Sequence, residues 1–298
     1  EGAAEVNSVN HDKQTALHVV AERNFPTCAE WLLSAGAEKD ATDNDGRTPL
    51  FISAVAGSTQ VAQVLIKWGA DVNFVNKATG WSALYASCMW GRKAIVELLV
   101  SAGSDLNAQF SAGMAALHIA AFHGHIDIIK VLLESKKADL ELQNDAGQTP
   151  LHVAIASSQL EAFKVLIEAG ANPERVDLLG NTALGIATEA GVVNILLAKG
   201  VDKNKANYLG FTPLMLAAHK EIVELADILI KAGTDLNKAE RPGKTALHIA
   251  AQMVSTEVIK KLLEAGIDPS KKDSKGETAL DLAQFLNRRD SIKALEEH

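Results

Sequence analysis

Aromatic residues account for only 5% of the 298 residues, so a large core has to be assembled from Leu, Ile, Val and Ala. Cysteine is nearly missing. Cys28 and Cys88 cannot form a stabilising framework in a chain this long, and a reducing compartment, the cytosol or nucleus, is expected. Basic residues are outnumbered, 29 Lys and Arg against 37 Asp and Glu. The net charge of −8 argues against a nucleic-acid grip, which needs clustered cations to displace phosphate counterions. No apolar run approaches the roughly 18 residues that span a bilayer, so membrane insertion is not expected. No nucleophile elbow, phosphate-binding glycine loop or Cys-x-x-Cys pair occurs, so neither an enzyme nor a cofactor is expected.

What is present is repetition, and it fills the chain. The motif Thr-(Ala/Pro)-Leu-His, or a near relative, begins at Thr15, Thr48, Ser82, Ala115, Thr149, Thr182, Thr212, Thr245 and Thr278. The interval is 33 or 34 residues everywhere except between Thr182 and Thr212, where it is 30. A glycine precedes most starts by two positions, as at Gly46, Gly147 and Gly243. Each unit has a physical reading. Thr48 and its equivalents are N-caps that offer a hydroxyl to orphan amides, and Pro49 suits a first helical turn. A short helix follows, with apolar residues such as Leu117, Ile119, Ala120 and Ala121. A second helix has a wider stripe, as in Ile126, Ile128, Ile129, Val131, Leu132 and Leu133. Gly69, Gly103, Gly170 and Gly233 stand where a helix ends in the left-handed region. Tails such as Asp71-Val72-Asn73 and Asp235-Leu236-Asn237 lead into a tight turn, where the Asn side chains satisfy backbone groups by short bonds. Two short helices cannot bury their apolar faces alone, so neighbouring units must stack.

These elements, at this period, resemble the ankyrin-repeat family over essentially the whole chain. The resemblance implies an all-α solenoid of stacked helix–turn–helix units with projecting β-hairpin-like loops. It is read as one array over 1–298, with repeats starting near 10, 43, 77, 110, 144, 177, 207, 240 and 273. Residues 1–9 resemble the tail of a preceding repeat, and no initiator Met is present, so the chain is expected to be cut from a longer array or larger parent chain. Repeat six (177–206) is short and has Gly185 where the family places His, so both its helices should be shorter or tilted. A local irregularity near 185–200 should separate a block of five repeats from a block of four. Extra residues near Asn76 and near Lys136 and Lys137 should bulge turns. Asp281, Asn287, Arg288, Arg289 and Asp290 give repeat nine the polar surface of a cap.

Four histidines, His18, His118, His152 and His248, occupy the repeat's own His position and read as links between neighbouring repeats, not as acid–base groups. His123, His125 and Asp127 have the composition of a metal site. Zinc, however, needs three or four convergent ligands, and His125 belongs to a common Gly-His helix start, so no metal is expected. Cys28 and Cys88 read as small core residues.

The informative positions are those that stacking leaves free. In this family the inner helices and hairpin tips line a concave groove. Here these positions carry apolar residues where polar ones are the ordinary expectation: Val55 and Trp68 in repeat two, Trp81, Met89 and Trp90 in repeat three, Phe110, Met114, Phe122 and His123 in repeat four. Arg47, Arg92 and His123 stand at the rim. A second cluster joins Leu178 and Leu179 at one tip to Tyr208, Leu209 and Phe211 at the next. Exposed clusters of this kind mark interaction surfaces. The expected function is a protein-interaction module, a scaffold, adaptor or regulatory domain, that grips a protein or peptide in the groove and at the tips. The alternative is a structural or self-associating spacer array, a homo-oligomer held by the same clusters.

Overall fold

The structure, a computed structural model, describes residues 5–297. Its helices come in pairs, one pair per repeat: α1 (Ala16–Arg23) with α2 (Pro26–Ser34), α3 (Pro49–Ala56) with α4 (Thr59–Lys67), α5 (Ala83–Met89) with α6 (Lys93–Ser101), and α7 (Ala116–His123) with α8 (Ile126–Glu134). After α9 (Pro150–Ala156) and α10 (Leu160–Glu168) come α11 (Ala183–Ile186) with α12 (Ala190–Ala198), α13 (Pro213–His219) with α14 (Val223–Lys231), α15 (Ala246–Met253) with α16 (Thr256–Glu264), and α17 (Ala279–Phe285) with α18 (Arg289–Glu296). The described residues as far as Ala154, with Lys164–Gly170, form one compact unit; Ile155–Phe163 and Ala171 onward form a second. The division therefore falls inside the fifth repeat and not at its end.

Within the first unit α1, α3, α5 and α7 pack in sequence as an inner row, and α2, α4, α6 and α8 as an outer row. In the second unit α11, α13, α15 and α17 form the inner row, with α12, α14, α16 and α18 behind them. The core layers are mainly aliphatic, as the shortage of aromatics requires, with Phe51, Tyr85 and Phe163 as buried rings. Ile128, Ile129 and Leu132 are essentially sealed from solvent, as are Ile95, Val96 and Leu99 in the layer before. Burial of such residues stabilises each layer by about 1.5–3 kcal/mol per side chain, enough to offset the poor autonomy of nine-residue helices.

The caps work as their residues suggest. Thr48 Oγ1 accepts from the Phe51 amide at 3.2 Å, and Pro49 opens α3. The outer helices α4, α6 and α14 are followed by Gly69, Gly103 and Gly233, all at positive φ. After α8 the inserted Lys136 takes that conformation instead, at φ 56°. The other insertion lengthens the tip of repeat three, where the Gly80 amide closes back onto the Asn76 carbonyl at 2.7 Å.

The projecting loops are tighter than hairpins. Among the described residues β-structure is limited to two isolated bridges, Val9 with Thr15 and Val75 with Ser82. The reason at seven of the nine tips is an Asp or Asn; repeats four and eight have Phe110 and Glu240 there. Asp43 Oδ1 accepts from the amides of Asp45 and Arg47, closing an Asx turn that leaves no length for a ladder. Asn76 Nδ2 donates to the Asp45 carbonyl at 2.8 Å and Ser111 Oγ to the Thr79 carbonyl at 3.3 Å, whereas several other neighbouring tips are joined by a backbone bond, such as Tyr208 N–H to the Leu179 carbonyl at 3.0 Å. That approach requires a glycine at 180: a Cβ there, at φ 79°, would lie 2.7 Å from the Tyr208 nitrogen.

The sequence predicts that both helices of the short repeat are shorter or tilted; in length the correction is to the second helix. Only the first is shortened. Four-residue α11 ends at Ala187, whose ψ of 137° breaks the helix, whereas α12 keeps nine residues. The missing residues come out of the exposed end of the inner helix, because Val192, Val193 and Leu196 of α12 are needed in the core.

Candidate interaction surface

The repeat histidines serve the stack. His18 Nδ1 accepts from the Thr15 amide at 3.1 Å, which fixes Nε2 as the protonated nitrogen, and that nitrogen donates to the Arg47 carbonyl of the next repeat at 3.0 Å. His118 does the same between the Ala115 amide and the Gln148 carbonyl, and His248 between the Thr245 amide and the Glu277 carbonyl. Burial holds all three imidazoles below their ordinary pKa, against the raising influence of the carbonyls they meet. In repeat nine Asp281 takes the position, its carboxylate accepting from the Thr278 amide and hydroxyl at 2.8 Å each.

Two repeats place an aromatic ring where histidine would stand: Phe51 in repeat two and Tyr85 in repeat three. Phe51 lines a cleft of the first unit, and Tyr85 packs on Trp81, which lines it too. This cleft, of about 610 Å³, lies between the tips of repeats one to three and the inner helices α1, α3 and α5. Phe51, Ile52 and Val55 supply apolar wall, Trp81 and Trp90 the indoles, and Glu22, Asp45 and Arg47 the charges. Trp81 is held by stacking on Tyr85 at 5.2 Å between ring centres and by an indole N–H bond to Ser111 Oγ at 3.3 Å. Tyr85 meets Phe110 edge-on at 5.3 Å, and burial raises its hydroxyl pKa. Trp90, just past the end of α5, is 53% exposed.

Arg47 is held by two carboxylates. Its Nε donates to Asp43 Oδ2 at 2.8 Å, and Nη2 reaches Asp43 at 2.7 Å and Asp45 at 3.0 Å. Burial pushes the Asp43 carboxyl up, but the bonds from Arg47 outweigh it and hold the group below its ordinary range. Arg92 turns away to donate from Nε and Nη2 to the Val55 carbonyl, at 3.2 and 3.0 Å.

Of the residues singled out from sequence, Arg47, Val55, Trp81 and Trp90 thus meet in one cleft. Met89, Met114, Phe122 and His123 do not line it. Phe122 rests edge-on against His123 at 5.0 Å, and His123 stacks on His125 at 5.6 Å. Met114 Sδ accepts from Asn144 Nδ2 at 3.3 Å. Trp68 lies elsewhere, at the end of the outer helix α4, where its indole N–H donates to Glu30 Oε2 at 2.7 Å. This bond and the Lys67 ion pair hold the Glu30 carboxyl below its ordinary pKa. In the second unit Leu178, Leu179, Tyr208 and Leu209 stand out on adjacent tips, each more than 60% exposed. Phe211 is turned inward, edge-on to His219 at 6.3 Å. Phe51 and Tyr85 were not singled out from sequence, although their signal was legible: an aromatic ring at the repeat's own histidine position.

Among the described residues no three His, Cys, Asp or Glu side chains converge as a metal site, and no helix is long and apolar enough to cross a membrane. His125 Nε2 instead donates to the Met89 carbonyl at 3.3 Å.

Stacked helix pairs, Asx-turn tips and inter-repeat histidines together define an ankyrin-repeat protein, and comparison with known families agrees. The family model for ankyrin repeats, in three copies, matches in overlapping segments from residue 2 to residue 298, including 2–76, 102–177 and 225–298. The chain belongs to the ankyrin-repeat family, an all-α repeat fold. It is 34% identical over 79 residues to glycerophosphocholine phosphodiesterase gde1 of Schizosaccharomyces pombe, 26% of this chain and 7% of that protein. It is 44% identical over 64 residues to the E3 ubiquitin-protein ligase KEG of Arabidopsis thaliana, 21% of this chain and 4% of that protein. It is 41% identical over 63 residues to NF-kappa-B inhibitor delta of Mus musculus, 21% of this chain and 19% of that protein. The aligned stretches cover under a fifth of each of these relatives. Because repeats fill this chain, its likeness to the phosphodiesterase is a likeness of repeats.

Proposed function

We propose that the chain is a protein-interaction module, a scaffold, adaptor or regulatory domain without catalysis of its own, that takes a protein or peptide in the cleft of repeats one to three. The reading treats 1–298 as one array, since the 33-residue step from Thr149 to Thr182 passes through the division between the two compact units unchanged. It places the chain in a reducing compartment, in keeping with two unpaired cysteines. The observation that carries it is the half-exposed Trp90 beside Trp81 in a chain poor in aromatics, because exposed tryptophans walling a concave site are what partner binding selects.

The test is partner capture on the immobilised chain, comparing Trp90→Ala with Leu132→Ala. Trp90 is about half buried, so its loss should cost at most about half of the 3–5 kcal/mol of a fully buried ring in stability, but at least about 2 kcal/mol in binding. Sealed Leu132 should do the reverse, costing about 2–5 kcal/mol of stability with binding retained at low temperature. If Trp90→Ala leaves capture unchanged, the cleft is not the binding surface.

Self-association is a second reading, favoured by the exposed Leu178, Leu179, Tyr208 and Leu209 on adjacent tips. Sedimentation of the intact chain against Leu179→Glu separates the two: a dimer that dissociates in the variant supports it.

A further inference from the structure

We propose that the cleft of repeats one to three is built for a basic peptide segment, seating a Lys or Arg side chain between the indoles and a set of carboxylates. This rests on the reading of the chain as an interaction module and adds the chemistry of the partner. The charges of the cleft do not balance. Arg47, its one lining cation, is already shared between the buried Asp43 beneath it and Asp45, and no hydrogen bond or ion pair holds the Glu22 carboxylate, so the two lining carboxylates face a guanidinium that Asp43 already neutralises. The remaining wall is neutral, made of apolar and aromatic side chains with Gln14, Asn44, Asn76 and Thr79 among them.

A purely apolar side chain would strip water from Glu22 and Asp45 and return no bond to them. An acidic one would be repelled. A Lys or Arg side chain satisfies both surfaces at once. Its methylene stem covers Ile52 and Val55, and its charged head reaches the carboxylates across the face of an indole. Trp81 is suited to this because the ring packs against Tyr85 and its N–H is bonded to Ser111, so its orientation is fixed before binding. The cleft volume of about 610 Å³ is in the usual range for a site that encloses a side chain with its flanking backbone.

The test uses the complete ¹⁵N-labelled chain and follows its tryptophan indole N–H signals, assigned by single Trp→Phe variants. The probe is the terminally blocked peptide Gly-Ser-Lys-Ala-Arg-Ser-Gly, beside versions in which Lys and Arg are both Leu or both Glu. The basic peptide should move the Trp81 and Trp90 signals saturably and leave Trp31 still. Affinity should fall at least about fivefold in the double variant Glu22→Gln, Asp45→Asn, and again when salt is raised about tenfold. Unchanged melting of that variant shows that a loss reflects charge and not misfolding. If the Leu or Glu peptide binds as tightly, or the double variant binds the basic peptide as well as the parent, the cationic assignment is overturned. If no peptide moves Trp81 or Trp90 while Trp90→Ala still abolishes partner capture, the assignment fails and the interaction module stands. If capture survives Trp90→Ala as well, both readings fail.

Discussion

Replacing His118 with Leu removes one inter-repeat link while keeping the site filled. In the parent, the Ala115 amide has His118 Nδ1 as its acceptor at 3.3 Å in a fully buried setting. The Gln148 carbonyl keeps a second partner, the Asn144 amide at 2.9 Å, so it loses one bond of two. The orphaned amide should cost about 1–3 kcal/mol and the lost carbonyl bond about 0.5–1.5 kcal/mol, together about 1.5–4.5 kcal/mol in urea unfolding. A pH signature comes with it. Burial sets the folded pKa of His118 below its ordinary value of 6.5, so the unfolded chain binds the proton first. The stabilisation is therefore complete above pH 6.5 and declines as pH falls toward the folded pKa, by at most about 1.4 kcal/mol per pH unit for this group. His18 and His248 shift in the same direction, so parent stability should fall from pH 7.5 to 5.5 and His118→Leu should fall less steeply. A variant within 0.5 kcal/mol of the parent, or a parent whose stability is flat over that interval, would refute the reasoning.

Hydrogen exchange in the second unit should be fastest at the 187–189 break, where α11 stops after four residues and Gly185 supplies no link to the next repeat; protection there equal to that of α13 and α15 would contradict it. Gly180→Ala should cost at least about 1–2 kcal/mol in thermal unfolding, since the new methyl meets the Tyr208 backbone in a left-handed conformation, and a neutral result would show that the two tips can separate.

Much of this was legible because a repeat states its rules nine times. The caps, the helix-ending glycines and the histidine links all follow from one period, and the packed layers of Ile128, Ile129 and Leu132 follow from its stripe. The cleft was legible in part. Trp81 and Trp90 declare themselves as large rings at positions free of stacking, but Trp68 satisfies the same description and lies on the outer row against Glu30. Sequence position separates inner from outer helices; it does not say which side of a helix end a long ring will take. Phe51 and Tyr85 were hidden because they look like ordinary core residues. Only comparison with the histidine of other repeats shows them as departures. Arg47 read as a free rim charge because its capture depends on Asp43 being buried directly beneath it, a three-dimensional fact.

The tails of the repeats carry a side-chain relay that pairs each unit with the next. Asn73 Oδ1 accepts from the Asp105 amide at 2.9 Å, Asn107 Oδ1 from Asp139 at 2.8 Å, Asn204 Oδ1 from Asp235 at 2.8 Å and Asn237 Oδ1 from Asp268 at 3.1 Å. The local bond expected of these asparagines is made by the preceding aspartate, as with Asp71 Oδ1 and the Asn73 amide at 2.9 Å. Where the tail lacks asparagine a carboxylate can stand in, Asp40 Oδ1 accepting from the Asp71 amide at 2.9 Å and Glu174 Oε1 from the Asp202 amide at 2.7 Å, so a side-chain oxygen is offered forward to a backbone amide. Such a chain can gain or lose length by duplication or excision of one whole period, because the new neighbours meet through the same kind of bond, a side-chain oxygen on a backbone amide. A cut at any other length leaves an oxygen facing the wrong residue. Gene rearrangement within the array is thus filtered by hydrogen bonding into steps of about 33 residues.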